Sequence, residues 1–148
     1  MKQRGFEVVT GFDKAIIPLR GTSGSAGYDF CSYEEVTIEP NQTIMIQTGI
    51  KAYMLDDEVL QIYPRSSLGV KKHLRLANSV GIIDSDYYNN ENNEGHIMIP
   101  LFNFGNEPIT ISQGERVAQG IFSKYLITDT DQVSAKRSGG FGSTNESN

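Results

Sequence analysis

The chain has 148 residues, enough for one domain with a real core, and its 38% hydrophobic and 21% charged residues describe a globular protein rather than a disordered one. A net charge of −5 and a pI near 5.0 argue against non-specific nucleic-acid binding, so a polyanionic ligand would need local arginines or a bridging cation. One cysteine, Cys31, precludes an internal disulfide; with no membrane-length apolar window and no signal-like run in Met1–Phe6, a cytoplasmic protein is expected.

In chain order, Phe6–Val9 and Ala15–Ile17 read as short strands, followed by Tyr28–Tyr33 and Val36–Ile38. Thr43 to Tyr53 reads as one long strand, because Ile44, Ile46, Thr48, Ile50 and Ala52 share a face. Val59–Tyr63 is stopped by Pro64, and Ser66 to Lys72 is the helix candidate with Ser66 as its cap. Leu74–Leu76 and Val80–Ile83 are short strands around Asn78. The polar run from Tyr88 to Gly95 is expected to be an exposed loop. His96–Asn103 alternates as a strand, in which Pro100 favours an edge or a bulge. Ile109–Ile111 and Arg116–Tyr125 complete the set, the second lacking clean alternation as if covered on both faces. The sequence is polar from Thr128 on, so residues 1–127 are expected to form a β domain and residues 128–148 a flexible C-terminal arm. The fold class is all-β, a sandwich or barrel-like roll with one short helix.

Five clusters carry candidate chemistry. Ser25-Ala26-Gly27-Tyr28-Asp29 leads small residues to an acid, and alone reads as a turn entering a strand. Tyr63-Pro64-Arg65-Ser66-Ser67-Leu68-Gly69 places an arginine and two hydroxyls at a helix start, which suits an oxyanion. Asn78 through Tyr87 delivers the carboxylate of Asp84 at the end of a strand and a ring three residues later, with Gly81 leaving room for a close approach. Gly114 to Gln119 puts a glutamine where an aliphatic residue is usual, and Arg137 to Thr144 sets a lone Phe141 among glycines. That last run reads as a lid, its ring free to stack on a base while Arg137, Ser143 and Thr144 grip phosphate.

Other sites find little support. His73, His96 and Cys31 lack metal-ligand spacing, the serines have no Gly-x-Ser-x-Gly setting, and no nucleotide-binding glycine fingerprint occurs.

Taken together and in order, the five clusters resemble the motifs of the homotrimeric dUTP pyrophosphatases (dUTPases) across nearly the whole chain. The resemblance implies a distorted jelly-roll or β-clip barrel and a homotrimer whose shared active sites draw on all three chains. It implies hydrolysis of dUTP to dUMP and pyrophosphate, which supplies dUMP for dTMP synthesis and keeps uracil out of DNA. Asp84 matches the base that activates water for attack on the α-phosphorus, and Tyr87 the residue that packs under deoxyribose. Asn78, Gly81 and Ile83 fall on the uracil side, while Arg65, Ser66, Ser67 and Gln119 fall on the phosphates. Glu115 and Arg116 fall to structural roles. Asp29 matches the acid that orders water around Mg²⁺, itself bound mainly through the triphosphate. Arg137, Phe141, Gly142, Ser143 and Thr144 form the closing tail, with Lys136 at the spacing more usual for the tail cation. Ser67 stands where glycine is usual, and the 88–95 loop replaces a compact turn.

Two other readings share these residues. A dCTP deaminase of the same fold would need a glutamate where Pro100 stands, and is disfavoured. A regulatory protein that binds a partner through the 88–95 loop is the alternative outside enzymes. Neither nucleic acid nor a membrane is an expected partner.

Overall fold

The computed structural model of the chain describes residues 1–139. Within them the strands run β1 (Gly5–Val8), β2 (Leu19–Arg20), β3 (Tyr28–Cys31), β4 (Val36–Ile38), β5 (Thr43–Gln47) and β6 (Ile50–Tyr53). Next come β7 (Glu58–Tyr63), α1 (Ser66–Lys72), β8 (Leu74–Leu76), β9 (Gly81–Asp84) and a 3-10 turn over Ser85–Tyr87. The last strands are β10 (Met98–Asn103), β11 (Ile109–Ile111) and β12 (Arg116–Lys124).

All pairings are antiparallel, in sheets ordered β1-β6, β5-β10-β8, β11-β4 and β2-β3-β12-β7-β9. The inward faces bury Phe30, Ile46, Leu60, Ile99, Leu101 and Val117 completely, which makes one core between the sheets. This is an all-β, jelly-roll-like fold with one short helix. Strand β12 lies between β3 and β7. No described helix is long and apolar enough to cross a membrane.

Several expectations need correction. Ala15–Ile17 is not a strand; Ala15 N–H donates to the Phe12 carbonyl in a turn, and the pairing starts later at β2. The run from Thr43 to Tyr53 is two strands in different sheets, β5 and β6, broken at Thr48-Gly49. Gly49 takes φ +72°, and Thr48 Oγ1 donates to the Ile97 carbonyl at 2.6 Å, so alternation survives a corner that no long strand could turn. Ser66 is the first helical residue and Arg65 the N-cap, without a side-chain cap bond.

Pro100 sits in the middle strand of its sheet rather than at an edge or bulge. Its carbonyl accepts Ala77 N–H beyond the last residue of β8, so the missing proline N–H falls where that ladder has already ended. The 88–95 loop is not simply exposed, since Asn90 and Gly95 are buried.

Candidate active site

Three of the five clusters converge on the five-stranded sheet. Gln119 on β12 stands opposite both Asp29 on β3 and Tyr63 on β7, which puts neighbouring side chains on one face. Gln119 Nε2 donates to the Pro64 carbonyl at 3.1 Å. A Cβ on Gly27 would collide with the Gln119 side chain, so glycine there is a matter of space. Arg65 Nε lies 3.3 Å from Asp29 Oδ1, and Arg116 Nη1 lies 3.7 Å from Asp29 Oδ2. Beside them opens a cleft of about 370 Å³ lined by Arg65, Ser67, Lys71, Lys72, Glu115 and Arg116. Lys72 is paired with Glu115 at 2.5 Å, which leaves a cationic excess in a chain of net charge −5. That is the local basic site a polyanionic ligand needs here.

The third cluster lies elsewhere on the same sheet. Gly81 pairs with Ile62 and Asp84 with Val59, so Asp84 sits at the far end of β7 from Tyr63. Gly81 is closely packed: a Cβ there would lie 3.1 Å from Ile62 Cβ, a tight contact, and 3.5 Å from Asn78 Nδ2, an ordinary one. Asn78 is exposed and Ile83 half-buried. The Asp84 side chain is about half exposed and accepts Arg137 Nη2 at 2.6 Å, while Arg137 Nε donates to Asp86 Oδ1 at 2.8 Å. The Arg137 guanidinium also lies 5.9 Å from the centre of the Tyr87 ring. Within one chain, then, the tail arginine meets the candidate base and not the Asp29 cluster. Ser66 is exposed at the start of α1. Phe141, Gly142, Ser143 and Thr144 lie outside the described residues.

Tyr87 is buried, its hydroxyl donating to the His96 carbonyl at 2.6 Å and accepting from Asn93 Nδ2 at 2.9 Å. Burial pushes the phenol up from its ordinary range, against smaller opposing effects of the Asn93 bond and the Arg137 charge. Arg116, structural by its motif, faces Asp29 all the same. Two neighbours of the site, Asp86 and Asn93, escape a reading of the sequence. For Asp86 the signal is an acid two residues beyond Asp84. For Asn93 no signal exists in composition, because a side-chain network inside a polar run looks like any loop.

Asp84 and Asp29 are separated by three strand spacings across the sheet and four residues along it, on the order of 20 Å.

The family model for dUTPase matches residues 13–145. The deoxyuridine 5'-triphosphate nucleotidohydrolase of Lactococcus lactis subsp. lactis (strain IL1403) is 52% identical over 148 residues, covering 97% of this chain and 99% of that protein. The crystal structure of dUTPase from Streptococcus mutans is similar with a TM-score of 0.82 and 45% identity, covering 84% of this chain and 98% of that one. A point-mutant dUTPase from phage phi11 of S. aureus, solved with a structural Mg(II) ion, shares the fold at 21% identity and a TM-score of 0.75, covering 90% of this chain and 98% of that one.

Proposed function

This chain belongs to the dUTPase family, and on that premise we propose how its residues carry out the hydrolysis of dUTP to dUMP and pyrophosphate. Asp84 orients a water at the α-phosphorus and takes its proton, a role that typically contributes about 10²–10⁴-fold. Arg65, Ser66, Ser67 and Gln119 hold the phosphate chain, and their cationic cleft stabilises charge that builds on the leaving pyrophosphate. Tyr87 lies under the deoxyribose, and Asn78, Gly81 and Ile83 edge the uracil. Arg137 closes from the tail, with Phe141, Gly142, Ser143 and Thr144 following it.

Among the described residues no three acidic, histidine or cysteine side chains converge as a metal cage. Asp29, whose carboxylate is about one-fifth exposed between Arg65 and Arg116, fits an acid that faces a hydrated ion carried by the triphosphate. Mg²⁺ carried by the triphosphate would supply charge neutralisation at the phosphate oxygens. Asp29 would hold the ion through its water shell, with Arg65 keeping Asp29 in place.

The observation that carries the mechanism is the roughly 20 Å between Asp84 and the Asp29–Arg65–Gln119 group. It supports active sites assembled between chains, Asp84 from one and the phosphate cluster from another, within a homotrimer. The contacts of the 88–95 loop are made inside the chain, so a regulatory partner there gains no support from them. Pyrophosphate release measured for dUTP, UTP, dTTP and dCTP, with and without Mg²⁺, tests the assignment. Strong turnover of dUTP alone is expected, and comparable turnover of UTP would remove the role given to Tyr87.

A further inference from the structure

We infer that Asn93, in the 88–95 loop, is a positioning residue that sets sugar selectivity by fixing the ring of Tyr87; this rests on the sugar-facing role proposed for Tyr87. The loop is a closed hydrogen-bond network. Asn90 Oδ1 accepts the N–H groups of Asn92 at 2.9 Å and Asn93 at 3.0 Å, so its amide nitrogen must point the other way. That nitrogen donates to the Tyr87 carbonyl and to Asn93 Oδ1, each at 2.8 Å. Asn93 Oδ1 also accepts Gly95 N–H at 3.1 Å.

Backbone donors thus fix both amide orientations, and the group that Asn93 turns toward the phenol is an NH₂. The Tyr87 oxygen has to accept from it at 2.9 Å, which leaves the phenol hydrogen one destination, the His96 carbonyl at 2.6 Å. Held by its hydroxyl on two sides, the ring keeps its outer end in place, and the preference of phenol hydrogen bonds for the ring plane biases its tilt.

The loop is itself anchored to the body of the sheet. Glu94 Oε2 accepts from Lys51 Nζ at 2.8 Å and from Thr10 N and Oγ1 at 3.1 Å each, while Tyr88 donates to Glu7 Oε1 at 2.6 Å. Lys51 Nζ bonds Asn89 Oδ1 at 2.6 Å, closing the base of the loop. Gly95 takes φ +90°, and a Cβ there would lie 2.8 Å from the Tyr87 carbonyl, so the loop can return only through glycine. Rejection of a 2′-hydroxyl depends on how closely the ring can approach the sugar, and a ring free to tilt gives the extra oxygen room.

The test compares kcat/KM for dUTP with kcat/KM for UTP in the full-length protein. Asn93→Ala should lower this ratio about fivefold to tenfold, the worth of one net hydrogen bond. The dUTP kcat should stay within about twofold of wild type. Asn93→Asp keeps an acceptor for Asn90 and Gly95 but turns the donor facing the phenol into a charged acceptor that competes with the His96 carbonyl for the phenol hydrogen; it should lower the ratio as well, and it guards against a loop that fails to fold after truncation. In a Tyr87→Phe background the Asn93 substitutions should have no further effect on the ratio. An unchanged ratio in both Asn93 variants, or an equal fall in the Tyr87→Phe background, overturns the inference. Tyr87→Ala separates it from the reading beneath it: if that variant leaves the ratio intact, Tyr87 does not face the sugar at all. If Tyr87→Ala collapses the ratio and the Asn93 variants do not, only the positioning role is lost.

Discussion

Arg137 Nη2 donates to Asp84 Oδ2 at 2.6 Å, across 53 residues of sequence, and the same guanidinium holds Asp86 at 2.8 Å. The tail thus reaches the candidate base of its own chain. On the phosphate-binding role proposed for Arg137, substrate would compete with Asp84 for the same guanidinium.

Arg137→Ala is expected to lower kcat/KM for dUTP by about 10- to 100-fold, because an arginine–phosphate contact strengthens as charge develops. The melting temperature should move little beside that loss, since both carboxylates are more than half exposed even though the arginine side chain is largely covered. Pyrophosphate release and a thermal melt on the same preparation check both halves.

Gly27→Ala should act through Gln119. The new methyl collides with the Gln119 side chain, which must leave the Pro64 carbonyl and shift away from Asp29. The expected cost in stability is about 1–3 kcal/mol for a crowded site. Turnover should fall further than in a melt-matched core variant, Ile99→Val, which serves as the control.

Acid stability is expected to fall in two stages. Burial lowers the His96 pKa below its usual 6.5, and its Nε2 accepts Gly49 N–H at 2.9 Å in the neutral form. The unfolded chain therefore takes up that proton first, and stability is lost as pH drops below 6.5 through the folded value. Glu58, bonded by Arg4 at 2.7 Å and by Leu55 N–H, has its pKa lowered from 4.5, chiefly by Arg4. Its contribution is present above 4.5 and disappears as pH falls through the depressed value. Melting curves against pH should show His96→Gln flattening the first decline and Arg4→Ala the second.

Deamination of dCTP is expected to be absent. The position that would carry the acid is Pro100, buried in a central strand and without a titratable group. Ammonia release from dCTP checks this, and a signal above background would contradict it.

The clusters of Asp29, Arg65 and Gln119 were legible in the sequence because each lies where a turn meets a strand, and small or proline residues mark such junctions. Asp84 was legible for the same reason. The distance between them was not, because it depends on strand order, which places β3 and β9 three spacings apart although nothing local records it. The break at Thr48-Gly49 was hidden by alternation that continues on both sides of the corner. The 88–95 loop misled in the opposite sense: asparagines read as solvent-facing, yet here they satisfy one another and the Tyr87 hydroxyl.

Asp84 and Arg65 acting on one nucleotide from different chains is the claim on which the mechanism turns. Asp84→Asn and Arg65→Ala, each inactive alone, can be unfolded together in equal amounts, refolded as mixed trimers and assayed for pyrophosphate release from dUTP. Sites shared between chains predict recovery of roughly a quarter of wild-type turnover, since half the chains supply each intact residue. No recovery in mixed trimers of confirmed composition would contradict the account.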